Sequence, residues 1–140
     1  MYPIPLTIGH NADDGTNIAA DANMTVPEYV ALINTRFGAE APSVLLKYPA
    51  TSTAEVQLRL EQIMTDYDFN DAAKFVAGSM SDLEPKTYLY RYSYVIPGQP
   101  YGAFHGSMCF MLFGWTEEVK ADPAVSANIV DLWTRFEKNR

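Results

Sequence analysis

Cysteine is nearly missing from this chain, with Cys109 the single example. One thiol excludes an internal disulfide and a thiolate-based metal site. Basic residues are also scarce, 10 against 17 acidic ones, and the resulting net charge of −7 excludes nucleic acid as a partner, which needs a positive footprint. Long apolar runs are absent. The longest, around Met108 to Trp115, falls well short of the ~20 residues that cross a bilayer, so no membrane span is expected. The start, Met1-Tyr2-Pro3-Ile4-Pro5-Leu6, has no signal-peptide pattern, and localisation stays undetermined. No internal repeat or low-complexity segment interrupts the chain. What remains is a globular composition, 48% hydrophobic and 19% charged over 140 residues, enough for one domain and too little for two ordinary ones.

The local signals predict two strands separated by helices. Ile4 to Ile8 reads as a short buried strand closed by Gly9, followed by a polar turn from His10 to Gly15. Thr25 and Glu28 form a capping-box pattern that opens a helix carrying Tyr29, Ile33 and Phe37, stopped by Gly38. Ser52 and Glu55 repeat the pattern ahead of Val56, Leu60, Ile63 and Met64. A third helical stretch is expected from Asn70 to Ala77, ended by Gly78. Thr87 to Val95 then alternates Tyr88, Tyr90, Tyr92 and Tyr94 with other residues, which is strand spacing. A Gly/Pro-rich loop runs from Pro97 to Gly106, and a short apolar helix or turn from Ser107 to Phe113. Asp122-Pro123 starts a last helix with Val125, Ile129, Leu132, Trp133 and Phe136 as its buried stripe. A helical crossover between the strands requires them to be parallel and adjacent. Two parallel strands are too few to stand alone, so the chain reads as a piece of something larger.

Two polar positions fall where α/β enzymes place working groups, in loops past the C-terminal ends of strands. They are Asp14 and His105. A loop histidine among small residues, Tyr101-Gly102-Ala103-Phe104-His105-Gly106, takes up a proton near neutral pH, and an aspartate on its other ring nitrogen fixes the tautomer. Taken singly, Asp14 before Gly15 is a turn former and His105 a surface or capping group. The combination gains weight from the motifs around the two residues.

The segment Gly9-His10-Asn11-Ala12-Asp13-Asp14-Gly15 resembles Gly-x-Asn-x-x-(Glu/Asp)-Gly, the turn that bears the triad acid in the type-B carboxylesterase (cholinesterase-like) family. The Tyr-rich strand followed by Gly102 to Gly106 is similar to that family's catalytic-histidine loop. Asp66-Tyr67-Asp68-Phe69, Phe113-Gly114 and Trp133-Thr134-Arg135-Phe136 resemble further landmarks, in family order. The resemblance implies that residues 1–140 are the C-terminal part of an α/β-hydrolase fold: two adjacent parallel strands, a largely helical crossover and a C-terminal helix. It also implies a serine esterase acting through an acyl-enzyme on a small-molecule ester, with Asp14 and His105 as catalytic acid and histidine and with no cofactor. In such enzymes the nucleophile precedes the acid and the histidine. No Gly-x-Ser-x-Gly occurs here, so the serine is expected in a missing N-terminal part of the same fold, and this chain alone is expected to be inactive. Asp14 stands where most members have Glu, and Met108 where the family usually has Glu, which touches fine tuning more than the reaction. The rival reading is a non-catalytic cholinesterase-like adhesion or binding protein.

Other features point to structure. The tyrosine stripe reads as a buried strand face, Cys109 as a small buried hydrophobe, Trp133 as core, and His10 as structural or lining the gorge mouth. The turn from His10 to Gly15 fails EF-hand spacing. Unpaired strand edges predict self-association of the fragment. The resemblance also predicts that the Asp14 carboxylate and a ring nitrogen of His105 come within roughly 3 Å, or lie near enough for modest loop motion to bring them there.

Overall fold

The computed structural model describes residues 4–19 and 23–139. Strand β1, Leu6–Asn11, pairs in parallel with β2, Thr87–Tyr92, running from Leu6↔Thr87 to Asn11↔Tyr92. Between them lie α1 (Val26–Phe37), a 3₁₀ turn (Gly38–Glu40), α2 (Ala41–Lys47), α3 (Thr53–Ile63), a stretch of π-helical turns (Met64–Asp71) and α4 (Ala72–Ser81). Helices α5 (Ser107–Leu112) and α6 (Pro123–Asn139) follow. Among the described residues the sheet has two strands, and the arrangement is α/β: a parallel pair with helices around it.

The helix starts follow their sequence signals. Glu28 accepts hydrogen bonds from the Thr25 N–H at 2.8 Å and hydroxyl at 2.7 Å, and the Ser52 hydroxyl accepts from the Glu55 N–H at 3.3 Å. Asp122 caps α6 by accepting from the Ala124 N–H at 2.8 Å. Tyr29 and Ile33, one turn apart on α1, bury against Ala41 and Val44 of α2, Tyr48, and Val56 and Ile63 of α3. Each such fully buried large side chain contributes about 1.5–3 kcal/mol relative to exposure. The Tyr29 hydroxyl donates to the Tyr48 carbonyl at 2.7 Å, which spares a buried polar group from going unpaired. A second cluster, Tyr92, Ile96, Ala103, Met111 and Ala121, lies beneath the loop that carries His105.

Several element ends differ from the sequence expectation, each for a tertiary reason. The first strand is Leu6–Asn11 and not Ile4–Ile8; Gly9 sits inside it, because a Cβ there would come within 2.2 Å of the Tyr90 carbonyl oxygen. The second strand stops at Tyr92, three residues short of Val95. The last ladder bond runs from the Ala12 N–H to the Tyr92 carbonyl at 2.7 Å, and beyond it β1 has turned away. Helix α2 had no strong apolar period to announce it. The stretch expected over Asn70 to Ala77 is α4, Ala72–Ser81, so Gly78 does not end it. Nothing lies within 4 Å of a Cβ built on Gly78, and its φ is negative. Gly78→Ala is therefore expected to stabilise the chain by about 0.5–1 kcal/mol, through lower entropy of the unfolded state, measured as a raised urea midpoint with unchanged slope.

Cys109 is exposed, not buried. Helix α5 buries Ser107 and Met111, one turn apart, so the residue midway between them faces outward. The tyrosine stripe and α6 face each other with incomplete cover. Tyr88 meets Phe136 and Tyr90 meets Trp133 edge to face, each with ring centres 5.9 Å apart. Yet Tyr88 is 55% exposed and Leu132 is 66% exposed, and Trp133 is only half-buried. Two strands offer less surface than the apolar stripe of a 17-residue helix requires. A groove of about 630 Å³ remains between them, lined by Tyr88, Tyr90, Met108, Leu132 and Phe136 among others. No helix among the described residues is long and apolar enough to cross a membrane.

Candidate active site

Both loops of interest leave the same end of the sheet. Parallel pairing ends at Asn11↔Tyr92, so the chain after β1 and the longer excursion after β2 emerge side by side, and parallel bridging resumes locally at Asp13↔Phe104. The first loop carries Asp14 and the second His105. His105 Nδ1 lies 2.9 Å from Asp14 Oδ1, the contact expected from the sequence. The two side chains differ sharply in exposure, 4% for Asp14 and 52% for His105. With the carboxylate ionised, Nδ1 is the donor and Nε2 is left as the proton acceptor.

The surroundings fix each partner separately. Asp14 Oδ2 accepts from the Asn11 N–H at 2.6 Å, which orients the carboxylate and leaves Oδ1 for the imidazole. Gly15 donates its N–H to the Thr65 hydroxyl at 2.8 Å, tying the acid turn to the π-helical stretch. That stretch also brings Phe69 against the imidazole, with ring centres 4.8 Å apart. Insertion of π turns into a long helix rotates the following residues relative to an α-helical frame, and such insertions recur at functional positions.

The two loops are stitched to each other along their length. The Asp13 N–H donates to the Ala103 carbonyl at 3.1 Å, and Asp13 Oδ2 accepts from the Ala103 N–H at 2.8 Å. The Thr16 hydroxyl bonds the Tyr101 carbonyl at 2.6 Å. Asn11 Nδ2 donates to the Phe104 carbonyl at 2.6 Å, and Asn17 bonds both backbone groups of His105. Gly102 permits this closeness: it has φ 67°, and a Cβ there would fall 2.3 Å from Asp13 Oδ2.

Sequence reasoning singled out Asp14 and His105, and the fold brings them together. It did not single out Asn17, Thr16 or Thr65, whose partners are remote in sequence; Phe69 and Asn11 stood only as landmarks. His10 is buried and its Nδ1 lies 2.8 Å from the Asn11 carbonyl, so it belongs to the strand end and not to the imidazole pair. Tyr92, beneath the histidine loop, has a buried hydroxyl near the Ser107 side chain, and burial pushes its pKa up to about 12. Among the described residues no three His, Cys, Asp or Glu side chains group as a metal site. The geometry suits proton transfer at Nε2 backed by a fixed carboxylate.

No family model matches the chain. It is 33% identical over 97 residues to fumonisin B1 esterase of Sphingopyxis macrogoltabida. The matched stretch covers 68% of this chain and 18% of that protein, so the chain spans about a fifth of the length of the curated relative. The chain is thus distantly related to an esterase, which is consistent with an ester-hydrolase family.

Proposed function

We propose that this chain supplies the acid and the histidine of a Ser-His-Asp triad in a serine esterase of the type-B carboxylesterase family. The observation that carries the proposal is the 2.9 Å contact between His105 Nδ1 and Asp14 Oδ1, made by loops past the ends of adjacent parallel strands. In this reading a serine outside these 140 residues attacks the ester carbonyl while His105 Nε2 takes its proton. Asp14 holds the tautomer and stabilises the imidazolium. The proton then passes to the leaving alcohol, and water repeats the sequence to free the acid. Oxyanion donors also belong to the rest of the fold, and no metal or organic cofactor is required. The half-exposed face of His105 is where substrate and serine would meet it.

The purified chain is expected to hydrolyse a short-chain nitrophenyl ester no faster than its own His105→Ala variant. It lacks a nucleophile and the electrostatic stabilisation that an oxyanion hole provides. Turnover at enzymatic rates that depends on His105 would place the nucleophile inside the chain and overturn the assignment.

The same reading has further strands and helices lying against β1, β2 and α6. Without them, Tyr88, Leu89, Leu132 and Phe113 are exposed and the outer edge of β1 is unpaired among the described residues, which leaves apolar groups and a strand edge open to association. Self-association is therefore expected, and light scattering after size exclusion at micromolar concentration measures it. A clean monomer with a cooperative unfolding transition would argue that these residues form a self-sufficient domain.

A further inference from the structure

The acid and the histidine are 91 residues apart in sequence, on loops that carry little regular structure. A 2.9 Å contact between them requires that the peptide backbone at His105 be held, since a free loop would spread the imidazole over several ångströms. The peptide unit joining Phe104 to His105 is gripped at both ends. Its carbonyl oxygen accepts from Asn11 Nδ2 at 2.6 Å, and its N–H donates to Asn17 Oδ1 at 3.1 Å. Asn17 Nδ2 then reaches the next carbonyl, that of His105 itself, at 3.4 Å. A side-chain amide is suited to this task, because it presents a donor and an acceptor on one planar group.

Asn11 does something more. Its backbone N–H binds Asp14 Oδ2 at 2.6 Å while its side chain holds the Phe104 carbonyl. One residue thereby fixes the carboxylate and the backbone next to the histidine. Asn11 is buried at the end of β1, so this anchor is set by the sheet. Asn17 closes the clamp from the exposed side.

We infer that Asn11 and Asn17 are positioning residues, a pair of side-chain amides that clamp the Phe104–His105 peptide unit and so deliver the imidazole to Asp14. Their relevance to catalysis rests on the triad proposed above; the clamp itself does not. Both act through the backbone at His105.

The test reads the hydrogen bond directly, in the ¹⁵N-labelled chain. A His105 Nδ1–H held against a carboxylate gives a proton resonance far downfield of an imidazole N–H in water, and one protected from exchange. Asn17 is exposed, so Asn17→Ala leaves the core intact. In that variant the Nδ1–H is expected to exchange with water at least tenfold faster, or to broaden away, while amide signals of α1 to α4 keep their positions. Asn11→Asp, which preserves shape but replaces the donor with a carboxylate, is expected to lose the resonance altogether. Ser107→Ala removes the 3.4 Å contact of Asn11 with a hydroxyl but neither bond to the Phe104–His105 peptide unit, and is expected to keep it. An Nδ1–H with unchanged shift and exchange rate in Asn17→Ala overturns the clamp. Should Asn11→Asp fail to fold, the unsubstituted chain decides: a scalar coupling across the hydrogen bond from Asn11 Nδ2 to the Phe104 carbonyl carbon is expected, and its absence overturns the assignment. If these results hold while His105→Ala leaves turnover of the complete hydrolase unchanged, the clamp stands and the triad reading fails.

Discussion

In the complete hydrolase that the proposal describes, His105→Ala is expected to lower kcat for a short-chain nitrophenyl ester by roughly 10⁴- to 10⁶-fold, with KM little changed. That is about 5–8 kcal/mol at 1.36 kcal/mol per decade. Removing the imidazole eliminates both the base for serine attack and the acid for alcohol departure. Asp14→Asn should cost roughly 10³- to 10⁴-fold, because an amide stabilises the wrong tautomer of His105 while leaving the ring in place. The double variant should be no slower than His105→Ala alone, since the acid works only through the histidine. A fluorophosphonate that labels the serine should report the same order of rates. A loss of less than about tenfold in His105→Ala would sink the triad reading. A complete hydrolase with no turnover in any form would favour the cholinesterase-like adhesion or binding protein instead.

Gly102→Ala should produce a large loss of stability while leaving Asp14 and His105 themselves untouched. At φ 67° any residue with a Cβ pays for the left-handed conformation, about 1–2 kcal/mol. At Gly102 the new carbon would also sit 2.3 Å from Asp13 Oδ2 and 2.8 Å from its Cγ. Asp13 would have to withdraw, breaking its bond to the Ala103 N–H, for about 1–2 kcal/mol more. Gly98 supplies the control, having φ 80° and nothing within 4 Å of a built Cβ. Gly98→Ala should show the backbone cost alone. The expected result is a fall in Tm of roughly 10 °C for Gly102→Ala and about half that for Gly98→Ala. Equal shifts in the two variants would show that the approach of Asp13 to the histidine loop contributes nothing.

What was legible in the sequence shares a physical character: it acts within a turn or two of chain. Thr25 with Glu28, Ser52 with Glu55 and Asp122 with Pro123 mark helix starts because capping groups reach only the neighbouring N–H groups. The parallel pairing of β1 with β2 followed from the helical crossover, since a chain that reverses through helices returns in the same direction. Asp14 and His105 were legible because loops past parallel strand ends converge whatever the intervening sequence does.

What tertiary structure decided depends on residues far apart. Gly9 and Gly78 carry the same local signal, and neither ends its element. Gly9 is required by the Tyr90 backbone across the ladder, and Gly78 is an interior helix residue facing open space. Cys109 and Leu132 are exposed although both are apolar, because burial is set by which face meets a partner. The supports of the His105 loop, from Asn11, Asp13, Thr16 and Asn17, join positions 85 to 93 residues apart, and no local preference encodes them. The sequence by itself determined which strands lie side by side and which two polar residues stand in the loops past their ends. The distance between the carboxylate and the imidazole was decided only in three dimensions, because it is a property of two loops held against each other and of neither loop alone.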